Sequence, residues 1–147
     1  MLDVLDAIER EMRVTAPINR VWDFLTDPRL LPRWYPGASL EPHVGAAATF
    51  DCGAEAPYHG VVDVVDPPRR LAWRWCLEAG SSVGVGPTTR VEITLSAQGE
   101  QTHVRIVESG FAALGPDVRA RCQPGNDEGW VMLLDELANQ VAEPVLR

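Results

Sequence analysis

The sequence predicts an α+β fold in which a curved antiparallel sheet of about six or seven strands wraps around one long C-terminal helix. Three observations carry this reading. Short runs alternating between apolar and polar residues follow one another from position 45 to position 109, separated by turn residues, as hairpin-joined strands require. A single apolar stripe, Trp130, Leu133, Leu134, Leu137 and Val141, recurs at helical spacing near the end. The 147 residues, with no repeat and no linker, suit one domain spanning 1–147 with its own core.

The first element is a strand over 8–15. Ile8, Arg10, Met12 and Val14 share one face, with Glu9, Glu11 and Arg13 on the other. Pro17 then opens a helix as a first-turn proline, and Ile18, Val21, Trp22 and Leu25 form its apolar side. Asp27 and Pro28 stop this helix and start a second, with Asp27 as cap, Pro28 at its first position and Leu30, Leu31 and Trp34 as its apolar side. Tyr35-Pro36-Gly37 is a turn.

Five strands follow, over 45–52, 58–65, 70–77, 88–97 and 102–109. Pro67-Pro68 and Gly99-Glu100 make tight turns, and 80–87 is a glycine-rich hairpin loop. Val91, Ile93 and Leu95 oppose Arg90, Glu92 and Thr94, and Val104 and Ile106 oppose His103 and Arg105. One sheet face is therefore wet and the other covered. Gly125-Asn126-Asp127 reads as the start of the covering helix, which ends before Pro144.

Composition excludes several kinds of chemistry. The chain carries 13 arginines, no lysine and 21 acidic residues, for a net charge of −8. Schiff-base and P-loop lysine roles are absent, and neither nucleic acid nor an anionic membrane is an expected partner. Cys52, Cys76 and Cys122 are widely spaced, without the pairing of a zinc site, and read as free thiols of a cytoplasmic protein; no metal and no cofactor are expected. The acidic start, 1–11, has no signal-peptide pattern, and no run is long and apolar enough to span a membrane.

Residues 8–34, IEREMRVTAPINRVWDFLTDPRLLPRW, resemble the opening of the SRPBCC superfamily, also called START-like or birch-pollen-allergen-like. Pro68-Arg69-Arg70-Leu71 running to Trp75, Thr89-Arg90-Val91, Glu108-Ser109-Gly110-Phe111 and Gly129-Trp130 with Leu133, Leu134 and Leu137 resemble its later motifs. Together they are similar to the AHSA-type branch, named for homologues of an activator of the heat-shock protein ATPase. The resemblance implies a helix-grip fold with a cavity between sheet and C-terminal helix. It also implies that the first and last strands are antiparallel neighbours. The chain departs from that pattern in a long stretch, 112–125, which has room for a short helix over 116–121 acting as a rim or lid.

The candidate ligand-binding residues follow from facing. Trp73 and Trp75 share the covered side with Leu71 and Leu77, and Phe50, Tyr58, Trp130 and Leu134 join them as cavity lining. Ordinary core packing is the competing reading for all of these rings. Arg74, Arg90, Glu92 and Arg105 are outer-face cross-strand partners. His43 sits in a loop, His103 faces outward, and His59 shares its phase with Val61 and Asp63; neither GxSxG nor HExxH occurs. Glu108 breaks its pattern, because it continues the covered face of Val104 and Ile106. Arg10, on the covered face of the first strand, is its expected ionic partner and completes a polar end to the cavity.

The leading expectation is a small hydrophobic-ligand-binding domain that is not catalytic, its partner a small apolar or aromatic molecule. One alternative is a cyclase- or hydrolase-like enzyme using Glu108, Tyr58 or His59 as acid or base. Another is a co-chaperone-like interaction module with a chaperone partner. A homodimer is compatible with each.

Overall fold

The computed structural model describes residues 6–53 and 56–142. The stop signal at Pro144 and the start of the acidic N-terminal segment, 1–5, lie outside the described residues. The elements are β1 (Ala7–Val14), α1 (Ile18–Thr26), α2 (Leu31–Trp34), β2 (Ala38–Leu40), β3 (Ala47–Phe50), β4 (Tyr58–Asp66), β5 (Arg70–Cys76), β6 (Thr88–Gln98), β7 (Gln101–Ser109) and α3 (Pro116–Ala142). The seven strands form one curved antiparallel sheet in the order β1-β7-β6-β5-β4-β3-β2, so the first strand closes beside the last. This is the α+β helix-grip architecture.

The alternation in β6 and β7 becomes a division between two faces. Val91, Ile93, Leu95, Val104 and Ile106 are buried beneath α3 and α1, while the opposite face carries charges. On that outer face Arg74 stands opposite Arg90 in the register. Asp63 lies between them, 3.7 Å from Arg74 and 3.0 Å from Arg90. Arg70 reaches Glu92 at 2.7 Å, and Arg105 pairs with Glu9 across β7 and β1. Like charges placed opposite each other would repel, and the shared carboxylate removes that cost.

Four boundaries differ from the sequence reading. Pro17 caps α1 from outside, its carbonyl accepting the N–H groups of Arg20 and Val21, and Phe24 rather than Trp22 is fully buried. The second helix is a single turn that begins at Leu31, because Asp27 to Leu30 form a turn in which the Asp27 carboxylate holds Arg29. β2 was not expected: three residues after the turn pair with β3. β3 itself is only four residues long.

The largest difference is α3. Instead of a short helix, a break and a second helix starting at Gly125, it runs unbroken for 27 residues through Pro124 and Gly125, a length of about 40 Å. The residues that read as a cap have tertiary partners. Asn126 donates to Glu108, and Asp127 takes the Arg10 guanidinium. Those contacts hold the helix on the sheet across two poor helix formers. At the far end of α3, Leu134, Leu137 and Val141 are buried, and the Val141 carbonyl accepts the Arg20 side chain from α1.

Candidate functional site

Two parts of the space between the sheet and α3 differ in what fills it. Its centre is occupied by rings. Trp73 stacks on Phe50 at 5.4 Å, Trp75 lies edge-on to Phe50 at 4.9 Å, and Trp130 stacks on Trp75 at 5.9 Å. Tyr35 meets Trp130 edge-on at 6.1 Å. Offset and edge-to-face contacts of this kind place ring edges against ring faces and leave little void. Trp73, Trp130 and Leu134 are buried in the core, and the expected lining residues found on an open cleft are Phe50, Tyr58 and Trp75.

An open space bounded by these rings lies beside the N-terminal half of α3. It is a cleft of about 470 Å³ with Tyr35, Phe50, Tyr58, Trp75 and Leu77 as its apolar walls. Arg121, Gly125 and Asn126 form its helix side, and Cys52, Cys76 and Cys122 all reach it. The stretch expected to act as a rim does border this cleft, as part of α3. Backbone geometry brings the strands close here. Gly60 pairs with Trp75, and a side chain at 60 would meet the Arg74 carbonyl at 2.6 Å. At Gly86 a side chain would meet the Cys76 sulfur at 2.7 Å.

Glu108 lies immediately behind this cleft and is fully buried. Its Oε1 accepts Trp130 Nε1–H at 2.9 Å, and its Oε2 accepts Trp75 Nε1–H at 3.0 Å and the Thr89 hydroxyl at 2.6 Å. Asn126 Nδ2 sits 3.2 Å from Oε1 and 3.0 Å from Oε2. Burial pushes the carboxyl above its ordinary 4.5, and the four hydrogen bonds, led by that from Thr89, oppose this. The network accommodates either protonation state. The indoles and the amide nitrogen only donate, but the Thr89 hydroxyl can turn round and accept the proton of a neutral Glu108. Trp75 Nε1 also points at Thr89 Oγ1, at 2.9 Å.

Arg10 is not part of this cluster. The register sets Ile8, not Arg10, opposite Glu108, and the Arg10 side chain is 44% exposed. Its guanidinium makes a bidentate pair with Asp127, Nε at 2.7 Å and Nη2 at 2.8 Å. β1 is an edge strand, so its side chain turns outward to α3, while neutral donors already fill the carboxylate. The expected Arg10–Glu108 pair is thereby overturned. Arg10 instead lines a separate groove between β1 and α3, with Glu9, Arg119 and Pro124.

The other candidates separate cleanly. Tyr58 lines the cleft, whereas His59, next along β4, points to the opposite face and lines a small hollow with Val61 and Val83. His43 lies 3.9 Å from Glu41, and His103 lies 3.5 Å from Glu11, both on the outside. Among the described residues no cluster of His, Cys, Asp and Glu is arranged to hold a metal ion, and no helix is long and apolar enough to cross a membrane. Trp73 contributes a buried indole N–H without an acceptor among those residues.

Sequence reasoning missed Tyr35, Thr89 and Asn126. Tyr35 read as a turn, yet its ring is buried, and burial holds its hydroxyl far above the ordinary range. Thr89 carried a usable signal, because it is a polar residue in phase with Val91 and Ile93. Asn126 carried a misleading one, since asparagine after glycine looks like a helix start.

The seven strands in meander order, the short helices after β1 and the long helix across the sheet also occur in known structures. Protein MLL2253 from Mesorhizobium loti superposes with a TM-score of 0.81 at 24% identity, over 95% of this chain and 99% of that one. DynU16, a putative protein in the dynemicin biosynthetic locus, gives 0.73 at 30% identity over 91% of this chain, which spans 46% of its length. The Aha1 dimer from Colwellia psychrerythraea gives 0.70 at 20% identity, over 92% of this chain and 95% of that one. No curated protein sequence matches the chain. The family model described as activator of Hsp90 ATPase homolog 1-like protein matches residues 15–142. That span runs from the end of β1 to the end of α3, with Trp75, Glu108, Asn126 and Trp130 inside it, and the chain belongs to this family.

Proposed function

We propose that the protein binds a small, flat, apolar or aromatic molecule in the cleft beside Tyr58 and Asn126, without transforming it. The observation that carries this is the cleft itself. About 470 Å³ of space is lined by four rings, Tyr35, Phe50, Tyr58 and Trp75, together with the Asn126 amide, Arg121 and three thiols. That size and that lining suit a small organic ligand. Asn126 gives its N–H groups to Glu108, which leaves its carbonyl as an acceptor for a ligand hydroxyl or amine. Glu108 supports the site by fixing Trp75 and Asn126; its oxygens are already occupied by side-chain donors, which argues against a role as acid or base.

A ring molecule such as 1-naphthol, titrated into the protein, should quench tryptophan emission saturably, and Tyr58→Ala should weaken binding about tenfold, the factor that one aromatic contact of ~1.4 kcal/mol supplies. Absence of binding, or equal binding by the variant, contradicts the reading. The family description favours a second reading, a co-chaperone-like module with a chaperone partner. Stimulation of an Hsp90 ATPase by the full chain would support it over the first. A net charge of −8 speaks against nucleic acid and anionic membranes as partners, and three unpaired cysteines fit a cytoplasmic location.

A further inference from the structure

The chain has three cysteines and no lysine, so its soft nucleophiles are thiols. They come from separate elements: Cys52 just after β3, Cys76 at the end of β5, and Cys122 on α3. All three nevertheless line the same cleft, and none is in a disulfide. Cys76 is sealed, while Cys52 is exposed and Cys122 half-buried. The absence of a metal-holding group among the described residues argues that the thiols do not meet there to bind an ion. What they share is a set of ring walls, Tyr35, Phe50, Tyr58 and Trp75, and the Arg121 guanidinium on the helix side.

Burial, with Asp51 adding to it, holds the Cys52 thiol above its ordinary 9.0, so the rate of attack must come from the aromatic slot that positions an electrophile and from the Arg121 cation beside it. We propose that the cleft captures flat aromatic Michael acceptors, such as aryl enones and imides, covalently, with Cys52 and Cys122 as its nucleophiles. This rests on the reading of the cleft as a site for apolar aromatic ligands, and it departs from that reading for electrophilic ligands alone, which are bound covalently and not turned over. The S–H bond gives its proton to water, the thiolate sulfur attacks the β-carbon, and an S–C bond forms as the C=C π pair moves toward the carbonyl oxygen. Arg121 is the cation available to that oxygen as charge builds on it. The thiol's proton ends on the α-carbon, nothing leaves, and no oxidant or reductant is consumed. Ring contacts hold the acceptor beside sulfur and make the reaction effectively unimolecular.

The test compares two maleimides with the same reactive carbon, N-phenylmaleimide and N-ethylmaleimide, on the full chain, read by intact mass and peptide mapping. Each rate is divided by that reagent's rate with glutathione. The phenyl reagent should label Cys52 or Cys122 with a rate that saturates in reagent, at about ten times the normalised rate of the ethyl reagent, one aromatic contact's worth. The double variant Cys52→Ser, Cys122→Ser should lose the saturating phase. If that variant does not fold, the mapped position of the label on the wild-type chain decides instead. Equal normalised rates with linear dependence on both reagents would overturn the proposal, leaving ordinary surface thiols. Label on Cys76 alone would also overturn it. Saturable binding of 1-naphthol in that case keeps the ligand reading standing while the covalent one fails; absence of both removes the cleft as a ligand site.

Discussion

The two halves of α3 face the same sheet and do different things. From Trp130 to Val141 the fully buried side chains are apolar, Trp130, Leu134, Leu137 and Val141, with one indole N–H among them, and the space beneath is filled. From Arg121 to Asn126 it gives an arginine, a thiol, a glycine and an amide, and the space beneath is open. The boundary between them is the Glu108 cluster, where Trp75 of the sheet and Asn126 and Trp130 of the helix meet on one carboxylate. One helix thus serves as core at one end and as the wall of an open cleft at the other. The residue spacing separates the roles, since Asn126, Trp130, Leu134, Leu137 and Val141 all fall on one face.

Substitution at the filled end should have the larger effect. Leu137 is fully buried, and Leu137→Ala should cost about 2–5 kcal/mol in urea unfolding, as loss of a packed leucine does. Leu134→Ala belongs to the same range. Tyr58→Ala, in the half-exposed cleft wall, should cost less than about 2 kcal/mol, because its ring already touches solvent. Equal costs at the two ends would erase the distinction.

The boundary itself should show in the pH dependence. A carboxyl raised above 4.5 by burial keeps its proton in the folded chain where the unfolded chain has released it. Its contribution to stability is complete below 4.5 and is lost as pH rises through the raised folded value. Glu108→Gln cannot titrate, and it places an amide N–H against indole donors, with a cost of about 1–3 kcal/mol. The stability gap between wild type and this variant should therefore be widest in acid and narrow as the pH rises. A gap that widens toward neutral pH would mean a carboxyl pulled down rather than pushed up.

The smallest effect separates two indoles on one strand. Trp75 gives its N–H to Thr89 and Glu108, while the Trp73 N–H is buried without an acceptor among the described residues. Replacement of either by Phe removes similar volume, but only Trp75→Phe breaks hydrogen bonds. Trp75→Phe should be the more destabilising by about 1 kcal/mol, measured by thermal melts of the pair.

Much of this was legible in the residues. Alternation in β6 and β7 gave the buried face directly, and Glu108 stood out because a carboxylate continued that face. The stripe from Trp130 to Val141 located the covering half of α3. The other half was not legible, because Pro124, Gly125 and Asn126 carry local signals for a break that contacts with Glu108 and Arg10 override. β2 was hidden because three residues are too few to show a period. The partner of Arg10 was hidden for another reason: facing predicts which side a side chain leaves from, not whether a long side chain at a sheet edge turns outward. Convergence of the three cysteines depends on how separate elements fold together, which spacing does not reveal.

The most direct test of the division along α3 is an amide and side-chain NMR titration of the full chain with 1-naphthol. Shifts should concentrate at Phe50, Tyr58, Trp75, Cys122 and Asn126, with Leu134, Leu137 and Val141 unmoved. Shifts centred on Leu134 to Val141, or on the groove of Arg10 and Arg119, would contradict the account.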